Sequence, residues 1–352
     1  MSTRSKTPMT GPSQHEVSAP KLDVYVLPVE VSWQQVRAMF LRAEELGFHT
    51  AWIHDNVVGP VPWKPDAAVY DSWSVLGALG EATSRIRLGS LVTPMGRRHP
   101  SVFAKMTASF DNTSGGRLDL GMGPGDEPHQ YEPWGLRYPE PPERIEILEE
   151  EIEIIKRLWT NDRVTYEGKH YQLRDATLAP KPLQKPHPPI WIGLVFGRRV
   201  MPRVAARHAD GVNFYSKHDE DVAATIEQVQ SLCAEIGRDP APIKFSRCVS
   251  VWVTDDMPDI EAELNRVGEV YGTGADYVRD YVAAYERMAV GPPEVIAEEF
   301  VKQAELGIDQ IIVNLILGPG PAYKDLPVVE GVLRTWERIA TEVRPLMEAA
   351  LS

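Results

Sequence analysis

His54-Asp55-Asn56 sets an imidazole, a carboxyl and an amide side by side at the close of a predicted strand, Thr50 to His54. An imidazole and a carboxylate placed there could exchange protons or hold the polar edge of a ring. Asp55 suits equally well the capping of the following turn, with His54 packed beneath it. A second group is Gly121-Met122-Gly123-Pro124-Gly125, whose lack of side-chain bulk would let a flat ligand approach the backbone. It does not meet the dinucleotide fingerprint, because no helix opens directly after it and no acidic residue ends a following strand. A third is Gly193-Leu194-Val195-Phe196-Gly197-Arg198-Arg199, which runs into a predicted helix. Backbone N–H groups at that helix start, with two guanidinium groups, could hold a phosphate. By composition alone the same stretch reads as a glycine-punctuated loop with solvent-facing arginines. No Walker loop or Ser-His-Asp hydrolase motif is present, and His99, His129, His170, His187, His208 and His218 lack metal-ligand spacing.

These groups are positioned by an alternation of short β-branched runs with amphipathic helices, the pattern of parallel strands joined by crossovers. Strands are predicted at Asp23 to Leu27, Thr50 to His54, Arg87 to Val92, Arg117 to Met122, Pro189 to Ile192, Gly211 to Phe214, Ile243 to Val253 and Gln310 to Leu315. Between them, Ser32 and Gln35 form a capping box on a helix ending at Gly47, and Ile145, Leu148, Ile152, Ile155 and Trp159 make one apolar stripe. Eight βα units predict a (β/α)8 TIM barrel with insertions, a doubly wound sheet being the alternative. Chemistry is then expected in the loops after the strands' C-terminal ends. The surplus length falls near 160–188, where Thr165 to Tyr171 reads as a hairpin, and near 255–290; residues 1–20 read as a disordered tail on a single domain spanning 21–352.

With 50 acidic against 37 basic residues the formal charge is −13, which argues against a nucleic-acid partner. Apolar runs such as Ile311 to Leu317 fall short of the roughly 20 residues a membrane span needs. Two cysteines, Cys233 and Cys248, are too few for a disulfide framework and fit buried thiols in a reducing cytoplasm.

The run from Arg42 through Ala-Glu-Glu-Leu-Gly-Phe-His-Thr-Ala-Trp-Ile-His to Asp55, with Ala82 to Gly89, His99-Pro100, Ser114 to Leu118, Arg144, Lys181 to Gly193 and Ala209 to Gly211, resembles the bacterial luciferase-like flavin- and deazaflavin-dependent oxidoreductases. The resemblance runs in order from about residue 22 to residue 320. It implies a TIM barrel with reduced FMN or coenzyme F(420) at its C-terminal mouth. FMN members insert oxygen into a substrate, and deazaflavin members pass hydride; the strand-three and strand-four motifs lean toward the deazaflavin. Carried over, Asp55 and Asn56 would lie beside the ring, with Asn56 standing where many relatives have histidine and so better suited to hydrogen bonding than to proton relay. Ser90 and Leu91 match a bulge at which a non-proline cis peptide is expected. Thr93 would bond the ring's polar edge, Gly121 and Gly123 would line its face, and Gly193, Leu194, Val195, Phe196, Gly197 and Arg198 would hold the phosphate. Pro124 replaces the glutamate that sugar-phosphate dehydrogenases of the family use as proton donor, which argues against that activity, and His129 is a candidate acid or base.

The resemblance also implies a small-molecule substrate, a homodimer, and a separate reductase that supplies reduced cofactor. Tyr25, Trp63, Trp134, Phe196, Phe214 and Tyr215 hint at an aromatic pocket. Two other readings stay open: a non-catalytic flavin-binding relative, and a different TIM-barrel enzyme working on a phosphorylated metabolite.

Overall fold

The computed structural model describes residues 18–59, 65–125, 127–194, 199–215, 218–271, 274–285, 287–315, 317–318 and 320–352. Eleven strands are found among them: β1 (Lys21–Val26), β2 (Thr50–Ile53), β3 (Arg87–Pro94), β4 (Leu118–Gly123), β5 (Val164–Glu167), β6 (Gln172–Ala176), β7 (Ile190–Leu194), β8 (Gly211–Phe214), β9 (Lys244–Val253), β10 (Met288–Gly291) and β11 (Gln310–Asn314). Helices alternate with them: α1 (Trp33–Glu45), α2 (Ser72–Ala82), α3 (Pro100–Thr113), α4 (Pro141–Thr160), α5 (Met201–His208), α6 (Asp219–Glu235), α7 (Ile260–Tyr271), α8 (Ala275–Tyr285), α9 (Pro293–Glu305), α10 (Val328–Arg338) and α11 (Arg344–Ala350).

Eight strands pair in parallel in the ring β1-β2-β3-β4-β7-β8-β9-β11, closed where β11 meets β1. The predicted barrel is therefore the observed fold, and the doubly wound alternative is set aside. The ninth parallel strand, β10, was not foreseen. It exists because β9 is ten residues long: Lys244 to Arg247 pair with β8, and Ser250 to Val253 run on past the ring and take β10 as partner.

Each strand sorts its residues by alternation. In β1, Leu22, Val24 and Val26 join the large core that the helices cover, whereas Tyr25 packs on a separate group formed by Trp52, Leu91, Trp191, Cys248 and Ile312 inside the ring. Trp52 and Trp191 meet edge to face at 5.7 Å in mid-barrel. Room for them comes from glycines: a Cβ on Gly89 would lie 2.8 Å from Trp52, and one on Gly211 would lie 2.3 Å from Trp191.

The helix signals act as read. Gln35 N–H donates to Ser32 Oγ at 3.3 Å and Ser32 N–H to Gln35 Oε1 at 2.8 Å, while Gly47 closes α1 with φ of +73°. In α4, Leu148, Ile152, Ile155 and Trp159 are buried. The surplus length takes two forms. β5 and β6 make the expected antiparallel hairpin. Helices α7 and α8 form a cap on the C-terminal end of β9, with a small core of their own made by Leu264, Val267 and Val278 against Trp252, Val290 and Leu317.

Candidate functional site

The C-terminal end of β2 delivers His54, Asp55 and Asn56 to the barrel mouth, as expected from their place in the sequence. Asp55 is fully buried and committed: it accepts Ser72 Oγ–H at 2.6 Å and two Arg98 N–H groups at 2.6 and 3.2 Å. Burial works against its charge, but the charge and hydrogen bonds of Arg98, the Ser72 bond and the Arg97 charge outweigh burial and hold the carboxyl below its ordinary range. The carboxyl is thus held ionised between Arg98 and Ser72, while the cap of α2 is Asp71, which accepts Ser74 N–H at 2.8 Å and also binds Arg98 at 2.9 Å. Burial and the Arg97 charge push His54 down to about 4, so the imidazole is neutral at pH 7.

Asn56 differs from its neighbours. It is 4% exposed, and Oδ1 is buried with no hydrogen-bond partner among the described residues. A buried amide oxygen left unpaired is costly unless something else satisfies it.

Strand β3 supplies the other wall. The register against β4 shifts between Ser90 and Thr93, as a bulge requires, and a non-proline cis peptide lies there. It joins Leu91 to Val92, one residue beyond the expected Ser90–Leu91 bond. Tyr25 Oη–H donates to Leu91 O at 3.2 Å, and the half-buried Val92 side chain is the accessible apolar surface of the bulge.

The other expected residues are placed as follows. Thr93 is 3% exposed; its hydroxyl receives Trp73 Nε1–H at 3.0 Å and shares a hydrogen with Ser90 Oγ at 2.8 Å, which fixes it in the wall of the mouth. Gly121 and Gly123 are bare for the sake of that bulge: a Cβ on Gly121 would lie 2.2 Å from Ser90 O, and one on Gly123 would lie 2.8 Å from Val92 Cγ2. Gly193 and Leu194 are the last residues of β7, not loop; Val195, Phe196, Gly197 and Arg198 lie outside the described residues.

His129 faces the loop after β2. Its Nε2 lies 3.3 Å from Gly59 O, and the buried Gln130 beside it accepts Val57 N–H at 3.0 Å and donates to Gly59 O at 3.1 Å. The pair fastens the loop that follows Asn56. Of the aromatic residues, Tyr25 and Tyr215 pack on the inner barrel group, Phe214 joins the outer core and stacks with Phe245, and Trp134 is 60% exposed; Trp63 and Phe196 lie outside the described residues.

Several site residues escaped the reading of the sequence. Arg97 and Arg98 lie three and four residues beyond the end of β3, and their adjacency was a visible signal. Behind their loop, the buried Glu151 of α4 accepts Gly96 N–H at 2.9 Å and Tyr171 Oη–H at 2.7 Å. Burial pushes Glu151 up to about 7 against those two bonds. Across the mouth, Tyr215 Oη lies 2.5 Å from Tyr281 Oη of α8 and 3.5 Å from Asn314 Nδ2 of β11. Nothing in the sequence pointed to Tyr281, because it belongs to an inserted helix.

Among the described residues, no helix is long and apolar enough to cross a membrane. In comparisons with known proteins, residues 9–310 match the model of a family described as luciferase-like monooxygenase. A coenzyme F(420)-dependent glucose-6-phosphate dehydrogenase of Microbacterium testaceum is 38% identical over 182 residues, covering 51% of this chain and 52% of the relative. The chain thus spans about half the length of that relative. The solved coenzyme F(420)-dependent tetrahydromethanopterin reductase of Methanopyrus kandleri superposes with a TM-score of 0.73 at 22% identity, over 93% of this chain and 99% of that one. A long-chain alkane monooxygenase superposes with a TM-score of 0.75 at 14% identity, over 95% and 92%. With the closed ring, the bulged third strand and the family match in agreement, the chain belongs to the luciferase-like monooxygenase family.

Proposed function

We propose that this chain is an oxidoreductase that holds a reduced flavin-type cofactor, coenzyme F(420) or FMN, over the mouth of the barrel and acts on a small organic substrate. The observation that carries the reading is Asn56 Oδ1, a buried acceptor with no partner among the described residues, just past the end of β2, which pairs with the β3 strand that carries the apolar bulge of Leu91 and Val92. A flavin-type ring has the two features such a place lacks: a flat apolar body and a ring N–H on its polar edge. Bound there, the reduced cofactor supplies a hydride, or in the FMN case the means to activate oxygen.

The chain's own residues bind and orient. Asn56 would accept a ring N–H, and Leu91 and Val92 would supply apolar surface for the ring; Asp55, ionised and clamped by Arg98, fixes the strand end that carries Asn56. His54, neutral at pH 7, adds no charge beside the ring. The names of the curated relatives favour the deazaflavin. Titration of the purified chain with FMN, FAD and coenzyme F(420), oxidised and reduced, followed by oxygen-uptake measurements, tests the reading. Saturable binding of coenzyme F(420) without oxygen use is the expected result, coupled oxygen uptake selects monooxygenation, and no binding of any of the three refutes the reading.

A further inference from the structure

The far side of the mouth is built from different chemistry. Tyr215 leaves β8 packed on the inner barrel group of Trp52, Leu91, Trp191, Cys248 and Ile312, and its hydroxyl meets that of Tyr281, which α8 carries in from the cap. Asn314, 1% exposed at the end of β11, adds an amide N–H 3.5 Å from the Tyr215 hydroxyl. These are uncharged groups that donate to oxygen.

The cap above them is hostile to anions. Residues 255–290 hold nine acidic residues, no lysine and three arginines. All three arginines are engaged by acids. Arg266 meets Glu263 at 2.9 Å; Arg279 pairs with Asp276 and lies 3.7 Å from Glu261; Arg287 holds Glu299 at 2.6 Å and Asp219 at 3.4 Å. A phosphate dianion brought against the cap would meet a segment of net negative charge and could gain one of its three arginines only by breaking an existing ion pair.

Resting on the redox reading of the mouth, we infer that the substrate is an uncharged molecule with a carbonyl or hydroxyl oxygen, received by the Tyr215–Tyr281 hydroxyl pair, and not a phosphorylated sugar. This separates the chain from the glucose-6-phosphate dehydrogenases it matches over half their length. A carbonyl oxygen accepts from such a pair and an alcohol can exchange hydrogen bonds with it, which leaves the apolar remainder to lie against the barrel group.

The test starts from the protein with its cofactor bound, the binding having been measured first. Cyclohexanone, benzaldehyde, cyclohexanol and glucose 6-phosphate are titrated separately while the absorbance of the bound cofactor is followed. At least one of the neutral compounds should give a saturable change and glucose 6-phosphate none. Tyr281→Phe and Tyr215→Phe should each weaken that response about five- to tenfold, the loss of one hydrogen bond, while cofactor affinity stays unchanged. A saturable response to glucose 6-phosphate, silence from all three neutral compounds, or unaltered binding in both variants overturns the inference. Loss of cofactor affinity in the variants overturns it too, because the tyrosines would then serve the cofactor or the fold. If the unsubstituted chain binds no cofactor, the redox reading itself has failed, and that result appears before any substrate is added.

Discussion

The two sides of the barrel mouth are held by unlike forces. On the β2–β3 side, Asp55 lies in a buried ion pair with Arg98, Ser72 adds a hydroxyl, Thr93 is tied to Trp73 and Ser90, and Gln130 fastens the next loop. On the β8–β11 side, the polar contact with the cap runs through the hydroxyl and amide groups of Tyr215, Tyr281 and Asn314, beside the small apolar core that Leu264, Val267 and Val278 make with Trp252, Val290 and Leu317. A buried ion pair loses heavily when one partner goes, whereas a single neutral hydrogen bond contributes only about 1 kcal/mol. The first side therefore has one arrangement and the second can yield, which suits the invariant ring proposed for the one and the substrate proposed for the other.

The contrast is broken most severely by Arg98→Ala. Asp55 would remain buried without its guanidinium, and unfolding by urea should show a loss of about 3–5 kcal/mol. A loss below about 1 kcal/mol would mean that the two sides are not differently held.

Glu151 gives the next effect. Its raised folded pKa means that the fold favours the protonated acid, so its contribution is fully present below the ordinary carboxyl range and is lost as pH climbs through about 7. Stability measured from pH 5 to pH 8 should fall by roughly 2 kcal/mol from this group, and Glu151→Gln should flatten that decline. An unchanged pH profile in the variant would remove Glu151 from the account. The smallest effect on stability belongs to Tyr281→Phe, about 1 kcal/mol or less by thermal unfolding. A larger loss would show the cap side to be as rigid as the other.

Much of this fold was legible because alternation and capping are local signals. The capping box of Ser32 and Gln35, the stripe of α4 and eight short strands each announce themselves within about 20 residues of chain. β10 did not, being four residues long and dependent on the excess length of β9. The site was legible in its addresses more than in its roles. His54, Asp55 and Asn56 stand where the strand pattern puts them, but that Asp55 is consumed by Arg98, 43 residues away, could be learned only from packing. Glycine gave a second ambiguity: Gly121 looks the same in sequence whether it makes room for a ligand or for the carbonyl of Ser90. Tyr281 reaches the mouth through the geometry of an insertion, which carries no periodic signal toward the barrel.

The most direct measurement compares coenzyme F(420) and FMN binding, by fluorescence titration, in the unsubstituted chain, Asn56→Ala and Tyr281→Phe. The account predicts saturable binding of at least one cofactor, weakened about five- to tenfold by Asn56→Ala and unchanged by Tyr281→Phe. Equal affinity in Asn56→Ala and the unsubstituted chain, or no binding at all, would contradict it.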